Sequence, residues 1–199
     1  MDITVTPVTA DHLADAARLF GASRTTSHCW CMWFVTSVRA FHAAGADGNQ
    51  AHFAALAADS RAPMGLLAHV AGDPVGWCAA GPRSRYARAI RTPSFGDRDP
   101  AEDDDVWLVP CLYVRPEHRR GGVARALLEG AVAVAWQHEA TAIEAFPFAG
   151  SQRRSGPDLQ VGVEPLFASC GFAVVRRPSA NRVVMRRALT AAGGPPGPT

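Results

Sequence analysis

Residues 106–128 place a strand, a basic glycine turn and a helix one after another, and few folds accept that succession. Val106, Trp107, Val109, Tyr113 and Val114 are β-branched or aromatic, and Pro116 closes the run. Beyond Gly122, apolar residues return at Val123, Leu127, Ala131 and Val134, the three-to-four spacing of one helix face. Arg119 and Arg120 therefore stand where the first helical amides have no intrahelical acceptor. Free N–H groups, the helix dipole and guanidinium charge together suit a phosphate. Gly121 and Gly122 let a ligand approach the backbone with no Cβ in the way.

The flanking sequence supplies a small set of further elements. Residues 3–8 read as a strand, and Thr9 and Asp11 offer caps for a helix with Leu13, Ala17 and Phe20 on one face, ended by Gly21. Residues 23–34 are polar and then densely aromatic, which predicts a loop feeding a second helical region that ends near Ser60. Residues 65–71 and 75–80 around Gly72-Asp-Pro74 predict a hairpin. From Gly81 to Asp105 periodicity lapses while charge runs from basic (Arg83, Arg85, Arg88, Arg91) to acidic (Asp97, Asp99, Glu102 to Asp105), as in a long functional or disordered loop. Residues 141–146 predict a strand, 150–157 a polar loop, the stretch near 164–169 a short helix, and 172–176 and 182–187 two closing strands. Residues 189–199 predict a disordered tail after a single domain over 1–188.

Composition excludes several function classes. All 20 basic residues are arginine, so no P-loop lysine, pyridoxal-phosphate Schiff base or Ser–Lys dyad is available. A net charge of +2 with scattered arginines gives no nucleic-acid footprint. No basic and apolar leader opens the chain, and no apolar run reaches the roughly 18 residues of a membrane helix, so a cytoplasmic protein without a membrane partner is expected. Five cysteines then read as reduced thiols. The segment His28-Cys29-Trp30-Cys31 invites a metal reading, but Cys-x-Cys lacks the usual zinc spacing and no second pair answers it. Neither a Gly-x-Ser-x-Gly elbow nor a Gly-x-Gly-x-x-Gly turn occurs.

Read as Arg119-x-x-Gly122-x-Ala124 behind Leu112-Tyr113-Val114, with Glu164-Pro-Leu-Phe-Ala-Ser-Cys-Gly-Phe172 downstream, the sequence resembles the GNAT superfamily of acetyl-CoA-dependent N-acyltransferases. The Cys-Trp-Cys-Met segment at 29–32, Gly-Trp-Cys at 76–78, Pro82-Arg83-x-x-Tyr86 and Glu144-Ala-Phe-Pro147 are similar to a bacterial branch of it. The resemblance implies an α/β (α+β) fold in the order β-α-α-β-β-β-α-β-α-β-β: a mixed, mostly antiparallel sheet, splayed between its fourth and fifth strands and flanked by helices. It implies acetyl-CoA as cofactor, with backbone groups of Leu112, Tyr113 and Val114 on the pantetheine and Arg119, Arg120, Gly121, Gly122, Val123 and Ala124 around the pyrophosphate. A small-molecule amine is the expected acceptor, and a homodimer is compatible with the pattern.

Two departures from the family pattern bear on mechanism. Cys111 stands where an acidic general base often precedes the Leu112 position, and Phe167, in the cofactor-facing helix, replaces the tyrosine that protonates the departing thiolate. Glu144 on the neighbouring strand is the remaining candidate base, with a salt-bridged or solvent-facing role as its alternative. His28, Trp30 and Trp33, with Trp77, Arg83 and Tyr86, are candidates for the acceptor wall; packing of helices onto the sheet is the alternative. Three functions stay open: acetyl transfer to a small amine, acetyl transfer to a peptide amine, and a CoA-binding module without transfer.

Overall fold

In the computed structural model, which describes residues 2–150 and 160–189, the chain runs β1 (Thr4–Pro7), α1 (Leu13–Gly21), α2 (Arg24–Cys29), α3 (Val38–Asp59), β2 (Gly65–Val70), β3 (Asp73–Pro82), β4 (Val106–Val114), α4 (Val123–Gln137), β5 (Ala142–Ala145), α5 (Glu164–Ala168), β6 (Ala173–Ser179) and β7 (Arg182–Ala188). Apart from Gly150 and Leu189, the polar loop expected over 150–157 and the tail expected over 189–199 lie outside the described residues. Seven strands form one sheet in the order β1-β2-β3-β4-β5-β7-β6. All neighbours are antiparallel except β4 and β5, so the sheet is mixed as the resemblance implied. No helix among the described residues is long and apolar enough to cross a membrane.

Helices cover the sheet because their apolar stripes match its two faces. On one face α4 buries Val123, Leu127, Leu128, Ala131 and Val132 against Leu66, Val75, Cys78 and Val109. Gly76 on β3 permits that approach, since a Cβ there would meet Val123 at 2.8 Å. On the other face α1, α2 and α3 bring Leu19, Phe20, Trp30 and Phe53 onto Leu67, Trp77 and Ala79. The remainder of that face is covered by the segment after β3, through Tyr86, Ile90 and Phe95.

Between residues 23 and 34 the expected loop contains a helix, α2. Ser23 caps it, its hydroxyl accepting from the Thr26 amide at 3.2 Å, and the Thr26 hydroxyl reaches back to the Phe20 carbonyl at 2.6 Å. Trp30 and Cys31 then adopt left-handed conformations (φ 45° and 55°) that end it. Such backbone costs energy in non-glycine residues. Here it is held by the Trp30 ring, packed against Phe20 and Phe53 with centroids 5.1 and 5.8 Å apart.

The stretch from Arg83 to Asp105 is also ordered, as four short 3-10 turns. Its basic and acidic ends meet around one buried guanidinium. Arg83 is only 1% exposed; it donates to Asp103 at 2.7 Å, to Glu144 at 2.9 Å and to the Asp99 carbonyl at 2.7 Å. Arg186 holds the other Glu144 oxygen at 3.0 Å and pairs with Glu102. Removing one member of a buried ion cluster strands the others without solvation. Arg83→Met is therefore expected to lower stability by about 3–5 kcal/mol, read by urea denaturation; a loss below about 1 kcal/mol would show the cluster to be a surface-like ornament.

Candidate active site

The parallel pairing of β4 with β5 runs from Val106↔Ala142 to Val109↔Ala145 and stops. Beyond it β4 continues along β3 alone, with Cys111↔Ala79, Leu112↔Cys78, Tyr113↔Trp77 and Val114↔Gly76. The register shifts where Val109 and Pro110 oppose the single residue Ala80, a bulge that accommodates a proline without an N–H. On the other side Pro147 follows β5 and directs the chain toward β7. The two strands thus part and leave one edge of β4 open as a wedge.

Backbone alternation decides which groups face that wedge. The Arg115 amide donates to the Val75 carbonyl on β3. Tyr113, two residues back, turns the same way, so the N–H and C=O of Leu112 and Val114 point into the wedge. Arg119 confirms the direction, its Nε donating to the Val114 carbonyl at 3.1 Å. The expectation that Tyr113 offers its backbone to a ligand is corrected accordingly: its backbone belongs to the β3 ladder.

At the end of β4 the turn supplies an anion cradle. Arg120 (φ 62°) and Gly122 (φ 87°) both take left-handed conformations, and Gly122 caps α4 without a side-chain bond. The first intrahelical acceptor is the Gly122 carbonyl, taken by the Ala126 amide. The amides of Val123, Ala124 and Arg125 are left at the positive end of a 15-residue helix, beside the exposed Arg119 and Arg120. Val123 itself is a core residue, so only its amide is on offer. A pyrophosphate fits this set of donors.

Over the opposite face lies a cavity of about 560 Å³ walled by Arg24, His28, Cys29, Trp33, Phe34, Phe41, Phe146, Gln160, Val161 and Arg182. A smaller recess adjoins it through Cys29 and Gln160 and reaches Cys111 and Tyr113 on β4. The aromatic cavity therefore lies beside β4. Of the six residues expected in its wall, only His28 and Trp33 are there. Trp30 is buried between helices, Trp77 lies against the recess with its Nε1 donating to Cys31 Sγ at 2.9 Å, Arg83 is in the ion cluster, and Tyr86 is 2% exposed beneath its own segment. Sequence reasoning missed Phe34, Phe41, Phe146, Arg24 and Arg182; the density of aromatics around 30–34 and Phe146-Pro147 was the available signal.

Two further residues sit elsewhere than expected. Phe167 is fully buried, edge-on to Phe172 with centroids 5.3 Å apart, and shows no surface to a ligand. Glu144 pairs with Leu108 in the unsplayed part of the sheet, and both its oxygens are taken by arginines. It faces the groove under residues 97–102 rather than the aromatic cavity.

The Cys29 and Cys31 thiols beside the recess are neutral. All five cysteines are free. Burial and the nearby Cys31 push Cys29 up to about 12, and a hydrogen bond with Cys111 together with burial raises Cys31 well above the ordinary range.

The sheet thus combines a parting between its fourth and fifth strands with a set of free amides at the turn that follows the fourth. A model of the acetyltransferase (GNAT) family matches residues 26–156, more than half of the chain, and the protein belongs to that family. No curated protein matches the sequence. The fold is similar to that of an N-acetyltransferase from Staphylococcus aureus Mu50, with a TM-score of 0.57 at 12% identity over 96% of this chain and 100% of that one. The ribosomal-protein-S18-alanine N-acetyltransferase of Escherichia coli gives 0.51 at 14% identity over 97% of each chain. The PaiA N-acetyltransferase of Thermoplasma acidophilum, solved with coenzyme A, gives 0.52 at 12% identity over 94% of this chain and 99% of that one. Acetyl-CoA is the cofactor of the family.

Because four of the five thiols are buried and burial raises the Cys29 pKa, iodoacetamide at pH 7.5 is expected to modify the native protein at least about tenfold more slowly than free cysteine, with Cys29, the least buried, reacting first and faster as pH rises. Rapid labelling of Cys31 in native protein would contradict the packing described.

Proposed function

We propose that the protein moves the acetyl group of acetyl-CoA to a primary amine of a small molecule, by direct attack within a ternary complex. The observation that carries this reading is the aromatic cavity beside β4, whose adjoining recess reaches Cys111 and Tyr113. A partly open cavity of about 560 Å³ walled by aromatic side chains has the volume of a small-molecule site.

Acetyl-CoA supplies an acetyl group already activated as a thioester. The amides of Val123 and Ala124, with Arg119 and Arg120, hold the pyrophosphate. Backbone groups of Leu112 and Val114 hold the pantetheine arm and polarise the thioester carbonyl. His28, Trp33 and the other cavity aromatics orient the amine toward Cys111 and Tyr113. The new C–N bond forms as the C–S bond breaks, the nitrogen's proton passes to water, and the sulfur leaves as the thiolate of CoA. No Asp or Glu is among the described residues of the wall. The guanidiniums of Arg24 and Arg182 disfavour an ammonium beside them, which favours the neutral, attacking form of the amine.

Calorimetric titration of acetyl-CoA tests the cradle. Gly122→Val forces a β-branched residue to φ 87°; it is expected to weaken binding at least about tenfold with the circular dichroism spectrum retained. Unchanged affinity would place the pyrophosphate elsewhere. Screening amines for CoA release tests transfer, and saturable acetyl-CoA binding without turnover of any amine would reduce the protein to a CoA-binding module.

With water as the proton acceptor, kcat/KM for the amine should rise with pH toward the amine's own pKa, since only the unprotonated nitrogen attacks. Glu144→Gln should leave that profile in place. A collapse of the pH-dependent rise in folded Glu144→Gln protein would return the base to Glu144.

A further inference from the structure

Among the described residues, the charge lining the aromatic cavity has one sign. Arg24 and His28 on α2 and Arg182 on β7 line it, and the only other titratable group of its described wall is the Cys29 thiol, which is neutral. The Arg88 guanidinium stacks on Trp33 of the wall, 3.3 Å from its ring centroid.

Arg24 differs from most arginines on this surface. Arg18 pairs with Asp73, Arg176 with Asp97 and Arg177 with Glu164. The Arg24 guanidinium makes no hydrogen bond or ion pair with any described residue, although it borders a cavity. Arg182 is anchored, its face 3.7 Å from the Phe148 ring centroid and its Nη1 donating to the Phe146 carbonyl at 3.1 Å. A guanidinium at the edge of an aromatic space, with no carboxylate among the described residues of the wall, suits an oxyanion. Trp33, Phe34, Phe41 and Phe146 add flat apolar faces that match a ring.

We infer that the acceptor is an amine that carries both an aromatic ring and an anionic group, its ring among Trp33, Phe34, Phe41 and Phe146 and its anion on Arg24. The inference rests on the acceptor reading above and names the class of molecule that reading leaves open. It also assigns the positive wall a double role: it draws in the anion, and it disfavours protonation of the amine carried on the same molecule.

Binding can be measured apart from turnover. With CoA saturating, 3-phenylpropionate, its amide and 3-cyclohexylpropionate are titrated calorimetrically into the parent protein, Arg24→Met and Arg24→Lys. The phenyl acid is expected to bind at least about tenfold more tightly than its amide, and more tightly than the cyclohexyl acid. That preference for the acid should fall to near unity in Arg24→Met and persist in part in Arg24→Lys. Equal binding of acid and amide, or an acid preference surviving in Arg24→Met, would overturn the inference, as would equal binding of the phenyl and cyclohexyl acids for its aromatic part. Turnover of phenylalanine and phenylalaninamide separates the two levels. If other amines are acetylated and the acid shows no advantage, the inference falls while the transferase stands. If the acid binds through Arg24 and no amine is acetylated, the transferase reading falls while the anion site stands.

Discussion

A proline in the middle of a central strand has no N–H to give a neighbouring strand, and the sheet is arranged around that deficit. Pro110 sits at a bulge against Ala80, and pairing of β4 with β5 ends one residue earlier, at Val109. Everything that makes the protein more than a packed sheet follows. The strands part, the Leu112 and Val114 backbone is released into the gap, and the turn at the end of β4 delivers α4 with its amides pointing the same way. Gly76 keeps α4 close enough to β3 for this alignment to be rigid.

The parting has to be sealed on the face away from α4, and two different kinds of packing do so. Near β1 to β4 the seal is aromatic, with Phe20, Trp30, Phe53 and Trp77 meeting edge to face. Near β5 and β7 it is ionic, with Arg83 drawing residues 99–103 onto Glu144. The aromatic cavity is the space between these two seals. Its contents are therefore set by whatever side chains their margins present, which is why it is lined by parts of α2, the following turn, α3, the end of β5 and the start of β7.

What could be read in the sequence was what is local. The strand, turn and helix of residues 106–137 are written in apolar spacing and glycine placement, and the hairpin of β2 and β3 in its turn. The backbone half of the candidate site was legible for the same reason. The side-chain half was not. Arg83 finds Asp103 and Glu144 from 20 and 61 positions away, a pairing that no periodicity announces. Glu144 consequently read as a spare carboxylate when it is an occupied one. Trp30, Trp77 and Tyr86 are of the residue types that wall a pocket, and the packing of α1 and α3 buried them instead. Arg24 and Arg182 carried no local signal at all, since only the folded sheet brings their elements to one space.

The open edge of β4 has a bearing on how such a protein could be re-purposed. Its wedge offers main chain rather than side chains, so under the proposed function the donor half of the site is nearly indifferent to which residues occupy the strand, provided the bulge and Gly122 persist. The other half is made wholly of replaceable side chains on separate elements. Diversity introduced at Arg24, Trp33, Phe34, Phe41 and Val161 would therefore explore new acceptors while the donor end stays as it is, and a directed-evolution library should be confined to those positions.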